Sequence, residues 1–184
     1  EDLTIIVDEI DRLTKVVNQL LQFAKPGSEV KTSVRIGAVI HSTLVVLNHE
    51  AKQNKITTFC QIPNDLPEIA ADEGALKEVF FNLLRNAIQA MPSGGEIHIN
   101  AHYQPSSHAI QITVTDTGTG IAQGSFQKIF EPFYTTKQTG TGLGLSIVKK
   151  KLEDMEATIH AESNGHGASF VINFPLPEPL LVQT

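Results

Sequence analysis

Two glycine clusters, Asp116-Thr-Gly-Thr-Gly-Ile121 and Gly140-Thr-Gly-Leu-Gly-Leu145, flank the aromatic segment Ile129-Phe-Glu-Pro-Phe-Tyr-Thr-Thr-Lys137. A run of helix formers follows the second cluster. A backbone without Cβ atoms can approach a ligand closely and turn its N–H groups toward it. Where such a loop runs into a helix, the unpaired N–H donors and the partial positive charge of the helix start suit phosphate. Neither cluster has the G-x-x-x-x-G-K-[ST] spacing. The third glycine of G-x-G-x-x-G is missing from both, with Gln123 and Leu145 in its place. The chain is therefore a candidate for a nucleotide site of a different design.

With 184 residues, the chain is long enough for one well-buried core and an appendage. A hydrophobic share of 41% and a charged share of 18% are those of an ordinary globular protein. A formal charge of -6 supplies no cationic surplus for nucleic acid or an anionic membrane, so neither is expected as a partner. The only basic run, Lys149-Lys-Lys151, reads as a solvated helix face. A single cysteine, Cys60, excludes an internal disulfide and fits a reducing compartment, the cytoplasm, and in its apolar-leaning run it is expected to be a small buried residue. No apolar run approaches the roughly 20 residues a membrane helix needs. The opening Glu-Asp-Leu-Thr has no basic start of a signal peptide and reads as the edge of a piece of something longer. A membrane-anchored parent protein remains compatible with it.

Leu3, Ile6, Ile10, Leu13, Val17, Leu20 and Ala24 alternate spacings of three and four, which predicts a coiled-coil-like helix over 3–24. Such a helix needs a partner, either its own domain or another copy of the chain. Lys25-Pro-Gly-Ser28 ends it. Apolar positions at 36, 40, 44 and 47 predict a second helix over 36–52, and 55–62 reads as a strand. The stripe Leu76, Val79, Phe80, Leu83, Leu84, Ala87 and Ile88 predicts a strong helix over 72–91. Alternation predicts strands at 96–103 and 109–116, then a helix over about 143–155, then strands at 157–163 and 168–174 about Asn164-Gly-His-Gly167. The tail from Pro175 is expected to be loose. This order implies an α+β fold, a mixed sheet with helices on one face.

Glu78, Asn82 and Asn86 recur every four residues and share one side of their helix, away from the centre of the apolar stripe. Asparagine is a mediocre helix former. The pair is either two surface residues or a source of carbonyl oxygens for a hard cation such as Mg2+. Asp116, at a strand end, can accept a hydrogen bond from an exocyclic amine such as that of adenine, or can simply start a turn. Segment 122–139 carries Phe126, Phe130, Phe133 and Tyr134 with little periodicity. A loop of that length is a functional lid or a surface excursion pinned by its aromatics. Lys137 within it can bring a point charge to terminal phosphates. Gly140, Thr141, Gly142, Leu143 and Gly144 lead into the next helix as a phosphate-binding turn.

Together these stretches resemble the boxes of the sensor histidine kinases, in that family's order. Glu78-x-x-x-Asn82-x-x-x-Asn86-Ala87 is similar to the N box, Asp116-x-Gly118-x-Gly120 to G1, Phe130-Glu-Pro-Phe133 to F, Gly140-Thr-Gly-Leu-Gly144 to G2, and Gly165-x-Gly167 to the last glycine box. Residues 1–25 resemble the second helix of the dimerisation and histidine-phosphotransfer hairpin, 30–176 the catalytic domain, and 177–184 form a tail. The phrase Glu131-Pro-Phe-Tyr-Thr-Thr-Lys137 resembles the nitrogen-regulation type most.

The resemblance implies the α/β sandwich of the histidine kinase, gyrase and chaperone ATPases, with ATP and Mg2+ as ligands and ADP as product. It implies that Asp116 holds the adenine amine beside Gly118 and Gly120, that Asn86 assisted by Asn82 coordinates Mg2+, and that Gly140 to Gly144 cradle the phosphates. Lys137 would touch the γ-phosphate, and Glu78 with Asn82 would take the catalytic positions. The implied partners are a response-regulator receiver domain and a second copy of the chain, joined through the hairpin helix. The family's acceptor histidine stands in an H-[DE]-x-x-x-P box that this chain lacks. His49-Glu-Ala-Lys-Gln-Asn54 has no proline and lies inside the nucleotide domain, and the remaining histidines have no comparable setting. Two rivals follow. An ATPase of the same superfamily would carry glutamate where Asn82 stands, and a nucleotide-sensing dimerisation module would lack transfer activity.

Overall fold

The computed structural model describes residues 31–137, 140–163 and 165–177, together with positions 6, 7, 9, 10, 13, 14, 16–18, 20 and 21. Those N-terminal positions are all helical. Ile6, Ile10, Leu13, Val17 and Leu20 lie 40–56% exposed, so these seam positions are left uncovered among the described residues. Leu3, Ala24 and the break at 25–28 fall outside the described residues.

The domain is built on five strands in the order β2-β4-β5-β7-β6. β2 (Ile56–Gln61) runs parallel to β4 (Gly95–Gln104), while β5 (Ala109–Asp116), β7 (Ser169–Pro175) and β6 (Thr158–Glu162) continue antiparallel. The sheet is therefore mixed, as expected. Its strands alternate as a half-covered sheet requires. Ile97, Ile99, Ala101, Ile110, Ile112, Val114, Phe170, Ile172 and Phe174 point into the core. His98, His102, Thr113 and Asn173 belong to the other register.

Three helices complete the core: α1 (Ile36–Gln53), α2 (Glu73–Gln89) and α3 (Gly144–Asp154). α2 is the central one, flanked by the other two. The residues of its predicted stripe are all buried, with Phe80, Leu76, Val79 and Leu83 at 0% exposure. Its start is fixed by Asp72, whose carboxylate accepts from Ala75 N at 3.1 Å. A cap of this kind contributes about 1 kcal/mol. The site residues lie on the side of α2 left free by that stripe.

Four features differ from, or add to, what the sequence suggests. Thr32–Val34 (β1) and Ile69–Ala71 (β3) pair antiparallel as a separate two-stranded sheet. Of the tail, Leu176 and Pro177 are held, because Leu176 N donates to His108 O at 2.9 Å and His108 Nε2 lies 3.0 Å from Pro177 O, while 178–184 fall outside the described residues. Lys151 is not part of a solvated run: its Nζ sits 3.0 Å from Glu78 Oε2, with 22% of its side chain exposed. Cys60 is half-buried, and burial raises its thiol pKa.

Candidate functional site

A cavity of about 870 Å3 opens between the exposed side of α2, the end of β5 and the segment leading into α3. That volume suits a drug- or nucleotide-sized ligand. Among the residues lining it are Asn82, Asn86, Asp116, Gly120, Lys137, Gly140, Thr141, Gly142 and Gly144. Residues up to 62 positions apart in sequence thus converge on one space.

Asp116 closes its deep end. It is 4% exposed, and its Oδ1 accepts from Gly118 N at 2.8 Å and from Ala168 N at 3.3 Å. Burial raises its pKa, against the two amide donors and Lys137, which lower it. The net direction is upward, so desolvation outweighs the donors. A carboxylate held in this way is short of partners on its other oxygen and suits an N–H donor from a flat ligand. Ala90, Ile121, Ala168 and Phe170 add apolar walls around it.

The wall on α2 is amide-rich. Asn82 Nδ2 donates to Glu78 O at 3.0 Å, which directs its Oδ1 toward α3. A Cβ on Gly144 would lie 3.4 Å from that oxygen and 3.8 Å from Asn86 Nδ2. The first residue of α3 therefore abuts both asparagines. Lys137 reaches across from the lid, its Nζ donating to Gln89 Oε1 at 2.8 Å and to Asn86 Oδ1 at 3.3 Å. Burial lowers its pKa most, Asp116 raises it, and Arg85 lowers it. Arg85, which sequence reasoning missed, also lines the cavity, with its Nε 3.6 Å from Glu50 Oε1 and its guanidinium over the Phe81 ring.

Glu78, like Gly118 and Leu143, is a predicted site residue that does not line the cavity. It stays on the predicted side of α2, but its carboxylate is engaged by Lys151. Gly118 and Leu143 support the site from behind without lining it, Leu143 being fully buried.

Between the clusters, Ser125 to Tyr134 fold back on themselves. Lys128–Phe130 form a 3-10 turn, and Tyr134 Oη donates to Ser125 Oγ at 2.9 Å. Phe130 is buried edge-on against Phe170 at 6.4 Å, whereas Phe133 is 59% exposed with φ of 67°. One aromatic anchors the lid and another is presented outward. Residues 138 and 139 lie outside the described residues.

At two glycines the missing Cβ serves the protein's own backbone. A Cβ on Gly142 (φ 70°) would fall 2.3 Å from Phe133 C, and one on Gly167 (φ 79°) would fall 1.9 Å from Asp116 O. Gly142 therefore lets the segment at Phe133 lie on the 140–144 turn, and Gly167 lets the β6–β7 turn lie on the end of β5.

For a divalent cation the donor set fits. Asn86 Oδ1 already accepts from a cation, the Lys137 ammonium, and Asn82 Oδ1, one turn away on α2, faces Gly144. No group of three or more His, Cys, Asp or Glu side chains that could hold a metal occurs among the described residues. Two amide oxygens, completed by ligand phosphates and water, would suit Mg2+ rather than form a closed protein cage.

A half-covered mixed sheet, a buried carboxylate at a strand end, an asparagine-bearing helix and a glycine turn under a lid define a nucleotide-binding α/β sandwich. Residues 71–178 match the family described as histidine kinase-, DNA gyrase B-, and HSP90-like ATPases, and the chain belongs to that family. It is 36% identical over 177 residues to the signal transduction histidine-protein kinase AtoS of Escherichia coli (strain K12), covering 96% of this chain and 29% of that one. It is 32% identical over 173 residues to sporulation kinase E of Bacillus subtilis (strain 168), covering 94% and 23%. The chain thus spans less than a third of either relative. Among solved structures it resembles full-length ShkA in complex with AMPPNP (TM-score 0.80, 28% identity, 94% of this chain and 37% of that one). It also resembles the histidine kinase ThkA in complex with the response regulator protein TrrA (TM-score 0.78, 28% identity, 94% and 50%). The domain is of the ATP-binding catalytic type found in sensor histidine kinases. No helix among the described residues is long and apolar enough to cross a membrane.

Proposed function

We propose that this chain binds Mg-ATP in the cavity and passes the γ-phosphoryl group to a histidine nitrogen on the hairpin of its parent protein, for relay to a response-regulator aspartate. The observation behind this reading is the convergence of Asp116, the Asn82–Asn86 wall, Lys137 and the Gly140–Gly144 turn on one space. In the transfer, the bond from γ-phosphorus to the bridging oxygen breaks and its electron pair leaves on ADP, while the histidine nitrogen bonds to phosphorus. The transition state is loose, so the domain contributes positioning and charge neutralisation.

Asp116 accepts the adenine amine and fixes the base at the deep end. The amides of Gly140 to Gly144, at the start of α3, hold phosphate oxygens. Lys137 moves from Asn86 and Gln89 to the terminal phosphate, and frees Asn86 Oδ1 to hold Mg2+ with Asn82. The ion, when bound, neutralises negative charge on the phosphates. Glu78 can act as a base only after releasing Lys151, so its assigned place is that of a carboxylate held in reserve on α2.

The run Glu131-Pro-Phe-Tyr-Thr-Thr-Lys137 supports a kinase of the nitrogen-regulation type, and the single Cys60 supports a reducing compartment, the cytoplasm. The uncovered seam of the N-terminal helix supports pairing with a second copy, and the ThkA–TrrA assembly supports a receiver domain as partner. The test is transfer in trans: the chain is incubated with γ-labelled ATP, Mg2+ and a hairpin fragment carrying the H-[DE]-x-x-x-P box of the parent protein. Acid-labile, base-stable label on that fragment is expected. Nucleotide binding without any label transfer would leave a sensing module in its place.

A further inference from the structure

Ser163 follows β6, and its hydroxyl is committed wholly to backbone groups. It donates to Gly167 O at 2.6 Å and accepts from Ile121 N at 3.1 Å and Gly165 N at 3.4 Å. A hydroxyl offers one donor and two lone pairs, so its capacity is filled. Two of these bonds stay within the β6–β7 turn. The third crosses to the residue directly after Gly120, 42 positions away.

The rest of that turn backs the same loop. Gly167 N donates to Gly118 O at 2.8 Å, and Asp116 N donates to Ala168 O at 2.9 Å. A Cβ on Gly120 would come within 2.7 Å of Ser163 Oγ, so the loop lies tight against the hydroxyl. Ser163 itself does not line the cavity, whereas Gly120, Ile121 and Ala122 do. Ile121 is thus the last residue held to the turn before the lid begins at Ala122.

We propose that Ser163 is a positioning residue for nucleotide recognition: its hydroxyl pins Ile121 as both the far edge of the base pocket and the fixed end of the lid. This rests on the nucleotide reading of the cavity. Because the pin acts on the base side, its loss weakens every adenine nucleotide by a similar factor, whatever the number of phosphates.

The experiment compares wild type with Ser163→Ala, Ser163→Cys and Ser163→Thr. Hydrogen exchange of the Ile121 amide is read without nucleotide, and binding of AMP, ADP and ATP is read by titration. Expected are faster Ile121 exchange and affinity lower by about tenfold for all three nucleotides in the Ala and Cys variants, the size of one well-placed hydrogen bond. Ser163→Thr, which keeps the hydroxyl, restores both readouts, which a merely space-filling role would not require. Wild-type Ile121 exchange and affinity in the Ala and Cys variants would overturn the proposal, as would a loss confined to ATP. A wild type that binds no nucleotide would instead sink the nucleotide reading and the recognition role with it, and Ile121 exchange would still decide whether the pin exists.

Discussion

Lys137 Nζ lies 3.3 Å from Asn86 Oδ1, so the lid's ammonium rests on the amide oxygen assigned to the metal ion. The two cations cannot share that oxygen at close range. Lysine must leave as the ion arrives, and in the proposed function it moves to the terminal phosphate. Lys137→Ala is expected to weaken ATP by about tenfold and ADP far less, since a charge-assisted bond is worth roughly 1.5–3 kcal/mol. Equal losses for the two nucleotides would contradict the assignment.

The same lysine predicts a pH dependence. Burial lowers its pKa in the free protein. A cation with a lowered pKa sheds its proton as pH rises sooner than an ordinary lysine does, and a bound phosphate favours the charged form. ATP binding should therefore take up a proton as pH approaches the lowered lysine pKa and weaken as pH rises through it. Calorimetry in buffers of different ionisation enthalpy measures the uptake, and the Lys137→Ala variant should lack it.

Asp116 presents the opposite case of stability against function. Its folded pKa is raised, so the stability it contributes is fully present below its unfolded pKa and is lost as pH rises through the folded value. At neutral pH its charge is a net cost. Asp116→Asn keeps an acceptor for Gly118 N and Ala168 N, and should be at least as stable as wild type by thermal unfolding. Adenine nucleotide affinity should fall by about tenfold or more, because an amide N–H would then face the base amine. A destabilised variant with intact binding would refute both halves.

Gly142→Ala separates the lid from the core. The added Cβ would meet the backbone of Phe133 and sit at a positive φ, which costs a non-glycine residue on the order of 1 kcal/mol before any clash. The lid must lift from the turn. Melting temperature should change little, while ATP affinity falls by about tenfold or more through misplacement of Lys137. Unchanged affinity would show that the lid does not need this contact.

The uncovered seam predicts self-association. Ile10 and Val17 are 56% and 53% exposed. Replacing both by Glu should make the chain monomeric in light scattering without altering ATP binding. A wild-type chain that is already monomeric would contradict the pairing.

What could be read in the sequence follows the range over which each signal acts. The stripe of α2 and the alternation of β4 and β5 are local, and their boundaries fell within two residues of the structure. β1 and β3 are three residues each, too short to show a period, and they exist only because they meet 35 to 39 positions apart. The boxes pointed to residues most of which line one cavity, since chemistry restricts residue type at each position. Their mutual contacts were not legible: Lys137 on Asn86, Lys151 on Glu78 and Ser163 on Ile121 each join residues more than 40 positions apart. Lys151 read as one of three solvated lysines because nothing in a run of like residues says which one turns inward. Glycine was legible as a need for close approach, but not what approaches, which at Gly142 and Gly167 is the chain itself.

The central claim is that this cavity is a Mg-ATP site built from Asp116 and the asparagine wall. Calorimetric titration of ATP with Mg2+ into wild type, Asn86→Ala and Asp116→Ala tests it most directly. Saturable one-site binding by wild type is expected, lost in both variants while their folds persist. A well-folded wild type that gives no heat and no binding, or variants that bind as wild type does, would contradict it.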